Sequence, residues 1–153
     1  MVKPLQNQFI PNYVSPPGET LEDTLEAVGM SQAELAERTG LARKTVNLIV
    51  KGKASLTQDT ALKLERVLGV PASFWSAREQ QYQEMVARLE EQRRLKKYSQ
   101  WLKQFPIGEM SKFKWVKSSQ DKVKQIRELL NFFGVASPDE WQGIWIDNPK
   151  VTF

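Results

Sequence analysis

Between Ala42 and Lys53 the chain reads ARKTVNLIVKGK, with four cations and no acid. Arg43 and Lys44 are donors of the kind that meet guanine O6 and N7. Asn47 carries a donor and an acceptor on one amide, which matches adenine N6 and N7. Thr45, Lys51 and Lys53 suit phosphate oxygens, contacts that position a protein on a duplex without reading its sequence. Upstream, Ser31 and Gln32 begin another helical segment, whose unpaired N–H groups and positive dipole end also favour a phosphate. Ser31 serves equally as a plain N-cap. Arg43, Lys44, Asn47 and Lys51 recur at steps of one, three and four, so a helix carries them on one face. Charges left unpaired in this way are expected to find their counter-charges on another molecule, double-stranded DNA.

Two short helices must hold that face. Ser31 with Glu34 three residues later predicts a capping box and a helix to about Thr39. Gly40 follows, where a tight turn wants positive φ. A second helix from about Ala42 to Val50 places Val46 and Ile49 inward, with Leu35 and Leu41 closing the same core. Ala36 falls where the two helices cross and is small enough to let them approach. Small residue, glycine, branched, branched at this spacing predicts a helix-turn-helix.

The remaining periodicity is helical throughout. Gly18 opens a helix that ends near Val28, with Leu21, Leu25 and Val28 at helical spacing. Thr57 caps a helix to Leu68 with Ala61, Leu62, Leu64, Val67 and Leu68 on its apolar side. From Pro71 a long pattern runs through Phe74, Trp75, Tyr82, Met85, Val86 and Leu89. It is interrupted at Glu90 to Arg94 and resumes with Tyr98, Trp101, Leu102 and Phe105. Ser118 to Phe133 predicts another helix. Ser137, Pro138, Asp139 and Glu140 supply a cap, an N1 proline and an acidic first turn. No segment predicts a strand. The expected organisation is an extended proline-rich arm over 1–17, pinned by Phe9, Ile10, Tyr13 and Val14, a helix-turn-helix domain over 18–76, and a helical extension over 77–153.

Composition narrows the function. The 153 residues contain neither cysteine nor histidine. Disulfides, thiolate metal sites and Ser–His or Cys–His nucleophiles are therefore excluded within this chain. The usual neutral-pH base and zinc ligand are missing too. No catalytic residue, metal or cofactor is expected, and the chain reads as a binding protein rather than an enzyme. No apolar run is long enough for a membrane span, and no signal peptide is evident, so a cytoplasmic home is expected. The net charge is +4. Residues 1–75 carry eight bases and eight acids, and residues 76–153 carry fourteen and ten. The first part is nevertheless polarised, with acids early and only bases from Arg38 to Lys53, and a local field of that kind steers a polyanion. Two further basic stretches have simpler readings. Arg93 to Lys97 reads as a solvated helix face. Lys112 to Lys117 interleaves bases with Phe113 and Trp115, as single-strand binders do, but the two rings are expected to be core anchors. Trp75, Trp101, Trp141 and Trp145 are expected in core or dimer contacts.

Four segments together, Pro17 to Leu21, Ser31 to Lys53, Asp59 to Leu64 and Pro71 to Trp75, resemble the HigA/VapI-type antitoxin branch of the Xre (phage-repressor-like) helix-turn-helix family. The resemblance implies an all-α fold: a five-helix, lambda-repressor-like domain with a helical C-terminal extension. It implies a dimer on a palindromic operator, often in its own promoter. That family commonly has Ser or Asn where Ala42 stands, so one helix cap is missing here. The stretches WLKQFPIGEMSKFKWV and LLNFFGVASPDEWQGIW are similar to the linker of proteins in which such a domain precedes an ImmA/IrrE-type zinc peptidase. A His-Glu-x-x-His helix is absent. The sequence is accordingly expected to be part of a longer protein, or a short relative that keeps the regulatory half. The alternative reading is a protein-binding regulatory half that grips a cognate toxin or a peptidase partner.

Overall fold

The structure is a computed structural model that describes residues 15–148. The arm residues Pro4, Phe9, Ile10, Pro11, Tyr13 and Val14 lie outside the described residues. Among the described residues every regular element is helical. The chain divides into two compact units, residues 1–87 and 88–153.

The first unit holds α1 (Pro17–Val28), α2 (Gln32–Thr39), α3 (Arg43–Val50), α4 (Gln58–Leu68) and the first part of α5 (Ala72–Leu95). Its core joins Leu21 and Leu25 of α1, Leu35 and Ala36 of α2, and Val46, Ile49 and Val50 of α3. Leu56, Ala61, Leu64 and Trp75 complete it. Local chemistry sets the boundaries. Pro16 precedes α1 and Pro17 takes its first helical position, where a missing N–H costs nothing. The Ser31 hydroxyl accepts the Glu34 N–H, and the Thr57 hydroxyl accepts the Thr60 N–H. Gly40 ends α2 in the left-handed region at φ 74°.

Several expectations are corrected in this unit. The capping box is only half made, because the Glu34 carboxylate is taken by Arg38 at 3.0 Å. Val28 is exposed, since the chain turns at Gly29 and Met30 packs on the core instead. Leu62 is 58% exposed. The buried stripe of α4 runs through Thr60, Ala61 and Leu64, and Leu62 points about 100° away from its neighbour Ala61.

The second unit holds the end of α5, a 3-10 turn at Lys96–Tyr98, α6 (Ser99–Leu102), α7 (Ile107–Lys112), α8 (Lys122–Phe133) and α9 (Pro138–Trp141), which runs into a π-helical turn at Gln142–Ile146. Its core is Leu95, Trp101, Met110, Val116, Val123, Ile126, Leu129, Leu130 and Trp141. The α8 helix begins later than expected. Asp121, not Ser118, caps it by accepting the N–H groups of Val123 and Lys124. The Ser137 hydroxyl donates to the Glu140 carboxylate and caps no backbone N–H. Phe113 and Trp115 are not core anchors. They are 66% and 56% exposed, and Met110 and Val116 fill the core positions beside them. Among the described residues no helix is long and apolar enough to cross a membrane.

Candidate nucleic-acid interface

The α3 helix starts at Ala42, whose side chain caps nothing. Its buried face is Val46, Ile49 and Val50, at 1%, 3% and 8% exposure. That fixes the opposite face outward. Arg43 and Lys44 are exposed on its first turn, and Thr45 is half-buried. Lys51 and Lys53 are exposed just past its end, on either side of Gly52. Among the described residues Arg43, Lys44, Lys51 and Lys53 form no ion pair, whereas Arg38 and Lys63 are engaged by Glu34 and Asp59. The cations on and just past the outer face of α3 are thus available to a polyanion.

Asn47 is half-buried rather than free. Its Nδ2 donates to Gln32 Oε1 at 3.3 Å. The sequence assigned both residues to the interface but did not reveal this link between the first turn of α2 and the middle of α3. The bond uses one amide hydrogen of Asn47. Its other hydrogen and its Oδ1 remain, enough to meet an adenine N7 and N6 together. Gln32 keeps its Nε2 as a donor. Ser31, exposed beside it, caps α2 by accepting the Glu34 N–H.

Three supporting residues escaped sequence reading. A Cβ on Gly18 would lie 2.5 Å from the carbonyl oxygen of Val50 and closer still to that of Ile49. Only glycine lets the start of α1 meet the end of α3 here. Arg78 on α5 donates from Nη2 to the carbonyls of Ser15 and Pro16 and from Nε to Thr20 Oγ1, each at 3.3 Å. It thereby ties the entrance of α1. Glu79 accepts the Leu56 N–H at 3.3 Å and fixes the chain after α3. No sequence motif marks Arg78 or Glu79, because their partners lie far away in the chain.

The helix-turn-helix model HTH_3 matches residues 21–75. The chain carries a helix-turn-helix domain of the HTH_3 family. This domain is 32% identical over 59 residues to the uncharacterized HTH-type transcriptional regulator YddM of Escherichia coli, a match that covers 39% of this chain and 63% of that protein. It is 38% identical over 60 residues to virulence-associated protein I of Dichelobacter nodosus, covering 39% of this chain and 56% of that one. The chain thus spans about three-fifths of the length of these curated relatives. Among solved structures it is similar to the Pseudomonas aeruginosa antitoxin HigA with the higBA promoter, at 29% identity and a TM-score of 0.51. That likeness covers 54% of this chain and 90% of that one. The resemblance to HigA- and VapI-type helix-turn-helix proteins holds.

Proposed function

We propose that the chain is a sequence-specific DNA-binding transcriptional regulator of the HigA-like antitoxin type. One observation carries this reading: the outer face of α3 presents Arg43 and Lys44 without ion pairs among the described residues, next to an Asn47 oriented from α2. In the proposed docking α3 lies in the major groove with its first turn at the base edges. Arg43 and Lys44 donate to guanine, and Asn47 pairs with adenine. Ser31, Gln32, Thr45, Lys51 and Lys53 hold phosphates and set the register. The likeness to an antitoxin solved with a promoter supports the reading. A homodimer then spans two half-sites of a palindromic operator about one helical turn apart, and occludes the promoter of its own gene.

The test is a gel shift against DNA from upstream of the gene, with an unrelated duplex as reference. Arg43→Ala and Asn47→Ala should each cost about 1–3 kcal/mol on the operator. Lys51→Ala should weaken both duplexes alike and lower the log–log salt slope by about 1. Equal affinity for operator and unrelated DNA, or indifference to Arg43→Ala and Asn47→Ala together, overturns the proposal.

A further inference from the structure

The second unit carries an exposed column of rings. Phe113 and Trp115 stack at 5.1 Å between centroids and 24° between planes. Trp115 and Phe132 continue the column at 6.1 Å and 12°. Phe132 meets Phe133 edge-on, and Phe133 packs on the core. One end of the column is thus anchored. The other end, Phe113, is the most exposed large hydrophobic residue among those described and meets no further ring.

The loop beneath is built to hold the rings outward. Met110 and Val116 are buried on either side of them. Gln125, 3% exposed, accepts the Ser119 N–H at 2.7 Å and donates to the Lys117 carbonyl at 3.1 Å. After α7 the N–H of Lys114 returns to the Ser111 carbonyl and that of Trp115 to the Met110 carbonyl, both at 3.0 Å. This closing pattern places Lys114 at the position that normally takes glycine, and its φ is 59°. It is the one non-glycine residue with positive φ among those described. The residue at this position is thus a charged one, exposed beside the rings.

We propose that this column, rimmed by the exposed Lys112, Lys114 and Lys117, is a second nucleic-acid site that takes single-stranded nucleic acid. Unpaired bases have free π-faces that extend a ring column, and their phosphates meet the lysines. A duplex presents no free base face. A cationic partner is repelled by the rim. Glu109 and Glu128 are the acids closest in sequence to the rings and are outnumbered by the three lysines; the Glu128 carboxylate accepts the Lys117 N–H at 3.4 Å. The site shares no residue with the α3 face and stands or falls separately from it.

The test uses the full chain carrying Arg43→Ala and Lys44→Ala, which removes strong cations of the other face. Fluorescein-labelled oligothymidylate and oligouridylate of about 12 nucleotides are titrated by anisotropy. Saturable binding of either is expected, and the tighter of the two identifies DNA or RNA as the source. Phe113→Ala and Trp115→Ala should each weaken it by about 10-fold. In the chain with Arg43 and Lys44 restored, the same ring changes should leave operator-duplex binding intact. Lys114→Gly should melt no lower than the parent while the salt slope of oligonucleotide binding falls by about 0.7. That combination separates lost contact from lost folding. Absence of saturable binding, or binding indifferent to both ring changes, overturns the proposal. So does dissociation of a dimer by the ring changes without oligonucleotide binding, which makes this face a contact between copies.

Discussion

Gly18→Ala probes how α3 is held. The new methyl would sit 2.5 Å from the Val50 carbonyl oxygen and closer to that of Ile49. Ordinary carbon–oxygen contact needs more than 3 Å, so α1 and α3 must part by about 1 Å. The obstacles are backbone atoms, which no rotamer change removes. Overpacking of this kind costs about 1–3 kcal/mol, and the upper end applies here. Alanine's better helix propensity returns about 1 kcal/mol at most. The net loss is about 2 kcal/mol, or about 10 °C in the melting of a unit this size. Gly29→Ala is the control. Its Cβ meets nothing within 4 Å, and only the left-handed φ of 70° penalises it, by about 1 kcal/mol. Amide exchange reads the loss in α3 and α4 separately from the second unit. Operator binding, measured well below either melting point, should fall for Gly18→Ala and not for Gly29→Ala, because only the first displaces the outer face of α3. A Gly18→Ala protein as stable as Gly29→Ala, with full operator affinity, would refute the packing argument.

Further outcomes follow from individual contacts. Gln32→Ala should weaken operator binding through Asn47 as well as directly. In a double-mutant cycle the Gln32→Ala and Asn47→Ala losses should fall short of additivity by at least about 0.5 kcal/mol; additive losses would mean that the 3.3 Å bond does not persist on DNA. At the start of α9 the Ser137 hydroxyl, seconded by backbone N–H groups, holds the Glu140 carboxyl below the usual carboxylate range. A depressed folded-state value adds stability above the unfolded pKa, lost as pH falls through the folded one. Ser137→Ala should bring the Glu140 midpoint back up towards the ordinary carboxylate value in an NMR titration, and an unmoved midpoint would assign the depression to the backbone alone.

Much of the first unit was legible because its signals are local. A hydroxyl before a helix, a glycine after it, and branched residues at fixed offsets are written within a few residues of where they act. Ser31, Gly40, Val46 and Ile49 therefore read correctly. Gly18 read only as a helix opener, since its reason is a carbonyl pair about thirty residues away. Arg78, Glu79 and the Gln32–Asn47 bond were illegible for the same cause. Phe113 and Trp115 misled in the opposite sense. Aromatic identity argues for burial, but Val116 and Met110 took the inner positions once Lys114 turned the chain. Leu62 shows how coarse an apolar count is, because one residue's offset around a helix decides inside from outside.

The tether between Gln32 and Asn47 bears on error rejection. A free asparagine swaps its oxygen and nitrogen by rotating about its last bond, and so accommodates more than one base. Asn47 makes that half-turn only by releasing Gln32 or by turning together with it, so that Gln32 Nε2 donates to Asn47 Oδ1. In the proposed docking, a base pair that sets a donor against its amide hydrogens is relieved only when two side chains rotate together, one of which also holds a phosphate. A wrong base pair is then met by two coupled side chains, and part of the cost of accommodating it falls on the Gln32 contact with the DNA backbone.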